Sequence, residues 1–304
     1  MRALVTGATG FVGGKLAEAL AERGANVRCL VRDRSRAGAL ERAGHDLHEG
    51  DVLDPESLSG AARGVDVAYY LIHSMGRGGG GGFARRERSA ASAFAVMARE
   101  AGVERVVYLG GLGDKPFSEH LRSRHETAEI LRRDGPPLSY FRAAMVVGAG
   151  SDSYRTLRHL VERLPAMIAP AWLKTATQPI GVEDVIAYLS DAPEVAGSAG
   201  RELQIGGPDV LTYGEMLDGM AAALGRRPAP RVPAPFISPR LSSLWIGLVT
   251  PVDAGVARPL VEGLSTETVV TDPSGAALFD IEPAPFDETL RLALAEERAT
   301  AAVA

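Results

Sequence analysis

Thirteen residues constrain this chain more than any others: Leu4-Val5-Thr6-Gly7-Ala8-Thr9-Gly10-Phe11-Val12-Gly13-Gly14-Lys15-Leu16. A short apolar run, Ala3 to Val5, precedes the glycines, and Phe11, Val12, Leu16 and Leu20 follow as apolar residues of a helical pattern. The pattern predicts a strand, a tight turn and a helix. The first N–H groups of a helix have no partner inside it and point at the turn, which suits a phosphate anion. Gly7 permits the turn, Gly10 lets the backbone approach the phosphates, and Gly13 lets the helix pack close to the strand. Three spaced glycines alone are a weak signal, because flexible loops also collect glycine. The strand before them and the helix after them supply the context that a dinucleotide site requires. Thr6, Gly7, Thr9, Gly10, Phe11, Val12 and Gly13 are therefore the expected pyrophosphate-binding residues.

The first half of the chain continues as alternating strands and helices. Strands are expected at Val27–Val31, Asp46–His48, Val67–Ile72, Val106–Leu109 and Leu138–Phe141, and helices at Phe83–Ala101 and Glu119–Arg133. Such alternation implies an α/β fold, a Rossmann-type doubly wound parallel sheet covered on both faces. Residues 1–150 form the expected dinucleotide-binding core. After Gly150 the rhythm breaks. Helices at Tyr154–Leu164, Val185–Leu189 and Tyr213–Leu224, with strands near Ile180–Val182 and Arg201–Ile205, suggest a small C-terminal substrate lobe over 151–295, interleaved with the core. Five prolines between 228 and 240 mark an extended arm, and the alanine-rich end, 296–304, is expected to fray.

Bulk composition narrows the function classes. A net charge of −5 offers no electrostatic case for a nucleic-acid partner. No apolar stretch reaches the ~18–20 residues of a membrane helix, so no membrane span is expected. No signal peptide is visible ahead of the first strand, and the expected location is the cytoplasm. The single cysteine, Cys29, lies in an apolar run and reads as core.

The residue closing the second strand of a dinucleotide fold faces the adenosine ribose. An acid there suits the 2′-hydroxyl of NAD, and a base suits the 2′-phosphate of NADP. Arg32 closes the strand here, with Arg34 and Arg36 close behind, so NADP is the expected cofactor. The rival reading makes Asp33 the ribose partner and NAD the cofactor. Asp51 and Val52 are expected at the adenine ring; capping of the next helix falls to Asp54 rather than Asp51. His73, after the fourth strand, reads either as a border of the nicotinamide ribose or as a structural histidine. Six glycines among residues 76–82 read as a flap. The segment 236–264 is apolar and suits either closure over an apolar substrate or docking of a partner.

Taken together, Thr6 to Gly13, Arg32, Gly50-Asp51-Val52, Tyr108-Leu109-Gly110-Gly111, Phe141-Arg142-Ala143 and Pro179 to Val185 resemble the short-chain dehydrogenase/reductase superfamily. The likeness is to its atypical branch, near the NmrA-like and complex I accessory-subunit-like proteins, and spans roughly residues 1–225. It implies NAD(P) at the strand ends, Gly110 among its contacts, and a small-molecule substrate. Active members of the superfamily use a Tyr-x-x-x-Lys pair on the helix after the fifth strand and a Ser or Thr at that strand's end. Here the strand ends in Gly110-Gly111, and the helix register places His120 at the tyrosine position and Arg124 at the lysine position. His120 can serve as acid or base, and Arg124 can hold a ribose hydroxyl but supplies no proton. The alternative is an exposed i,i+4 pair without chemistry. Three functions follow: an NADP(H)-dependent oxidoreductase acting on a small apolar organic compound, a non-catalytic redox sensor, or a structural accessory subunit.

Overall fold

A computed structural model describes residues 1–72, 83–113, 119–164, 166–233 and 264–303. Seven parallel strands make the central sheet: β1 (Arg2–Thr6), β2 (Asn26–Val31), β3 (Asp46–Glu49), β4 (Val67–Tyr70), β5 (Arg105–Gly111), β6 (Leu138–Ala143) and, after four shorter strands, β11 (Glu202–Ile205). Their spatial order is β11-β6-β5-β4-β1-β2-β3, so the chain winds outward in both directions from β1 and β4. The shorter strands are β7 (Val146–Val147), β8 (Met167–Ala169), β9 (Ala176–Thr177) and β10 (Ile180–Gly181), with β12 (Leu211–Thr212) and β13 (Arg231–Pro233) following β11. The fold is the Rossmann-type α/β arrangement expected from the alternation of elements.

Both faces of the sheet are covered, which is why its strands read as continuous apolar runs rather than as alternation. On one face α1 (Phe11–Glu22) and α6 (Val182–Asp191) bury Leu16, Ala17, Leu20, Val185 and Leu189 against Val5, Cys29, Tyr69, Val107 and Phe141. On the other, α3 (Phe83–Glu100) and α4 (Glu119–Asp134) bury Ala91, Phe94, Ala98, Ala128 and Leu131 against Leu4, Ala68, Tyr70, Tyr108 and Tyr140. Cys29 is buried in the first of these layers, and desolvation pushes its thiol up to about 12, so it stays a neutral core group.

Residues beyond 150 build a third apolar cluster from α5 (Asp152–Arg163), α7 (Tyr213–Ala223) and the C-terminal helix α8 (Phe286–Val303), around Tyr154, Trp172, Tyr213, Met216 and Leu290. The same region returns β11 to the main sheet. Several local expectations change. Strand β4 ends at Tyr70, two residues early. Val182 opens α6 instead of extending a strand, because the acids Glu183 and Asp184 favour a helix start. Within the proline-rich arm, Arg231–Pro233 pairs with β8. Helix α8 continues through the alanine-rich end to Val303. Glu296 accepts from Lys15 of α1 at 2.7 Å, and Glu297 accepts from the Tyr154 hydroxyl at 2.9 Å, tying that helix to α1 and α5.

Candidate functional site

The glycine turn is shaped by close approach on two sides. Gly7 has a φ of +67°, and a Cβ there would lie 2.5 Å from the Leu71 carbonyl oxygen. A Cβ at Gly13 would run into the Gly7 carbonyl oxygen and lie 2.7 Å from its carbon. The turn is thus pressed between the end of β4 and the first turn of α1, where only glycine fits. Gly10 donates to the Gly7 carbonyl at 2.8 Å and serves as N-cap of α1 without a side chain to cover the helix end. No acid stands in the first turn of α1. The exposed helix end, its positive dipole and the absence of an acid in that turn fit a pyrophosphate.

The flanking residues divide their work. The Thr6 hydroxyl is fully buried, donates to the Tyr69 carbonyl at 3.0 Å and accepts from Leu71 N–H at 3.0 Å, so it fastens β1 to β4. Thr9 is exposed on the turn. Phe11 and Val12 pack partly into the core, which leaves their backbone N–H groups at the helix end. Gly148 makes room for the Phe11 ring, where a Cβ would lie 2.9 Å from Cζ.

At the end of β2, Arg32 is exposed. Asp33 caps the short turn that follows: its Oδ1 accepts from Ser35 N–H at 3.0 Å and from the Ser35 hydroxyl at 2.6 Å. The Ser35 hydroxyl holds its carboxyl below the usual aspartate range. Arg34 lies 3.7 Å from Glu41. Beyond β3, Asp51 Oδ1 accepts from Leu53 N–H at 2.9 Å, so Asp51 closes the local turn, whereas Asp54 forms no side-chain cap. Val52 is buried in the layer beneath α3. His73 and the glycine-rich segment 76–82 lie outside the described residues, as does most of 236–264.

The end of β5 departs from the expected pocket. A carbon added at Gly110 would lie 2.6 Å from Cε2 and 2.8 Å from Oη of Tyr140, and one added at Gly111 would lie 2.6 Å from Leu121 Cδ2. Both places where a strand-end Ser or Thr would project are filled by neighbours. None of the three lysines, Lys15, Lys115 and Lys174, follows a tyrosine by four residues; Phe11, Gly111 and Pro170 stand there. His120 occupies the first turn of α4, and its side chain lies outside the described residues. Arg124 is half-buried and donates from Nη1 to the Leu109 carbonyl at 3.4 Å, while its own carbonyl accepts from the Tyr108 hydroxyl at 3.3 Å. It is therefore anchored at the strand end rather than displayed on an open helix face.

Arg142 of β6 is a staple. Its nearly buried guanidinium donates to the carbonyls of Gly111 at 3.2 Å and Gly113 at 2.6 Å, and to Glu202 at 2.6 Å. A charged residue inside the apolar run of β6 was the sequence signal for it. Tyr140 had no such signal, because an aromatic in a buried strand reads as core.

Residues 7–143 match the family described as NAD(P)H-binding. The sheet order and the glycine turn are those of an NAD(P)-binding Rossmann-type fold. A ceramide reductase of Caulobacter vibrioides is 28% identical over 93% of this chain and 89% of its own length. The mitochondrial NADH dehydrogenase 1 alpha subcomplex subunit 9 of Arabidopsis thaliana is 26% identical, covering 89% of this chain and 71% of that protein. The triphenylmethane reductase of Citrobacter sp., solved with NADP(H), shares the fold at a TM-score of 0.77 and 19% identity, over 96% of this chain and 100% of that one. Among the described residues, no helix is long and apolar enough to cross a membrane.

Proposed function

We propose that this protein is an NADP(H)-dependent reductase of a small apolar organic compound. The observation that carries the cofactor preference is the geometry after β2. Asp33, the one acid able to serve a 2′-hydroxyl there, is turned into a local cap on Ser35, while Arg32 remains exposed beside the strand end. A guanidinium without an acid competing for it suits a 2′-phosphate. The first turn of α1 holds the pyrophosphate, Gly7 and Gly13 set its distance, and Val52 with the turn at Asp51 borders the adenine. Arg124, held at the end of β5, takes the nicotinamide ribose, and His120 is the acid–base candidate of α4. The similarity to a ceramide reductase supports an apolar substrate.

Calorimetry with NADPH, NADP, NADH and NAD tests the cofactor assignment. NADPH should bind about 10- to 100-fold more tightly than NADH, the worth of one or two charged hydrogen bonds. Equal binding of the two would remove Arg32 from the reading. The crowded ends of β5 favour a second reading, a dinucleotide sensor without turnover. It requires oxidised and reduced forms to bind with different affinity and no acceptor to be reduced.

A further inference from the structure

The sheet ends at β3, and the chain leaves it through a turn that one serine ties together. Gly50 makes the last bond to the neighbouring strand, donating to the Val31 carbonyl of β2 at 2.9 Å. The next N–H, that of Asp51, goes to a side chain instead: it donates to Ser57 Oγ at 2.9 Å. The Ser57 hydroxyl in turn donates to the Asp54 carbonyl at 2.7 Å, with the Asp51 carbonyl 3.2 Å away. The Asp54 N–H closes the turn on the Asp51 carbonyl at 2.8 Å. One hydroxyl thus joins both ends of residues 51–54. Ser57 is itself held from behind. Its carbonyl oxygen lies 3.0 Å from His48 Nε2 of β3, and a Cβ at Gly50 would lie 2.7 Å from the same oxygen.

This turn stands at the carboxyl end of β3, beside the end of β2 where Arg32 is exposed. A dinucleotide seated on the first turn of α1 lays its adenosine half across these strand ends. We propose that Ser57 is the positioning residue of the adenine pocket: its hydroxyl fixes the turn at residues 51–54, and so sets the affinity for the adenosine half of the cofactor without touching it. This rests on the reading above that Val52 and the turn at Asp51 border the adenine. Packing alone holds the turn loosely. Val52 and Leu58 are buried in the same apolar layer, which keeps the segment on the sheet. Apolar contact has no direction, whereas hydrogen bonds fix where each N–H and C=O points. Without the Ser57 hydroxyl, the Asp51 N–H and the Asp54 carbonyl turn to water, and the turn swings on its two apolar anchors. The effect belongs to one half of the cofactor. The nicotinamide half lies past β1, over β4 and β5, and β4 is three strands from β3 in the sheet.

Ser57→Ala and Ser57→Thr in the full chain test this. Thr212→Ala is the comparison, because it deletes another hydroxyl that ties a local turn: Thr212 Oγ1 accepts from Glu215 N–H at 3.2 Å at the start of α7. Calorimetry is run with NADPH and with adenosine 2′,5′-bisphosphate, at a temperature where thermal unfolding shows every variant folded. Ser57→Ala should lose about 10-fold in affinity for both ligands by the same factor, the worth of about one hydrogen bond. Ser57→Thr, which keeps the hydroxyl, should return to within threefold of wild type, and Thr212→Ala should stay within twofold. Bisphosphate binding by Ser57→Ala within twofold of wild type would overturn the proposal, as would a loss seen with NADPH alone. Binding by Ser57→Thr no better than by Ser57→Ala would also overturn it, and so would an equal loss in Thr212→Ala. Wild-type protein that binds neither ligand would overturn the dinucleotide reading itself.

Discussion

Gly13→Ala is the sharpest test of the glycine turn, because its neighbour Gly14 supplies a matched comparison in the same helix. A Cβ at Gly13 would lie 2.7 Å from the Gly7 carbonyl carbon and 3.0 Å from Ala8 N, besides its collision with the Gly7 oxygen. Carbon atoms rest at about 3.5 Å or more, so the first turn of α1 must retreat by roughly 0.8 Å. Overpacking of this kind costs about 1–3 kcal/mol, and weakening the 2.8 Å bond from Gly10 to Gly7 adds about 1. The better helix propensity of alanine returns up to about 1 kcal/mol. The net loss is about 1–3 kcal/mol, or several degrees in Tm. At Gly14 a Cβ would lie 3.3 Å from the Ala8 oxygen, a contact relieved by a few tenths of an ångström. Gly14→Ala should therefore stay within about 1 kcal/mol of wild type. The same 0.8 Å retreat would stretch an N–H···phosphate bond from about 2.9 to about 3.7 Å, beyond hydrogen bonding, so NADPH affinity should fall at least about 10-fold in Gly13→Ala. Urea unfolding and a fluorescence titration read both effects. Equal stability and equal affinity in the two variants would refute the claim that Gly13 sets the helix against the turn.

Further outcomes follow from the other contacts. Arg32→Ala should weaken NADPH binding about 10-fold or more and leave NADH unchanged, by calorimetry. Arg142→Met strips donors from the Gly111 and Gly113 carbonyls and orphans Glu202; urea unfolding should show a loss of about 2–3 kcal/mol, reduced from the value for a fully buried pair because Glu202 is partly exposed. Burial raises the Asp184 carboxyl, with the Ala284 N–H at 3.1 Å opposing the rise. The folded state therefore holds that proton more tightly than the unfolded state. The group's burial costs stability above its folded pKa, and the cost fades as pH falls through the window down to the ordinary aspartate value. Asp184→Asn should accordingly unfold at a higher temperature than wild type at pH 7–8, with the gap closing toward pH 4. Tyr154→Phe should cost about 1 kcal/mol, by loosening α8 from α5.

Element order was legible because it depends on local periodicity and punctuation. Buried parallel strands read as apolar runs, helices as 3.6-residue repeats, and the Gly7–Gly13 turn as the junction of one with the other. Boundaries slipped where neighbours outweighed local pattern. The alanine-rich end remains helical because Lys15 and Tyr154 reach across from other helices to Glu296 and Glu297. The candidate site was legible only in part. Arg32 and the glycines are legible by position alone, because each stands where a strand ends and a turn begins. Thr6 and Asp51 are expected at the ligand from sequence, and in the fold their side chains also hydrogen-bond neighbouring backbone. A hydroxyl or carboxylate can serve either, and the choice lies in a few tenths of an ångström of tertiary placement.

The chain's own residues, read in order, determine the parallel sheet, the glycine-capped helix start and the absence of a Tyr-x-x-x-Lys pair, because each of these is a matter of spacing along the backbone. Tertiary structure decides what fills the end of β5. Gly110 and Gly111 look vacant in sequence, but strand pairing brings Tyr140 over one and helix packing brings Leu121 onto the other. Tyr140 stands 30 residues beyond Gly110, and only parallel pairing of β5 with β6 brings its oxygen to that strand end.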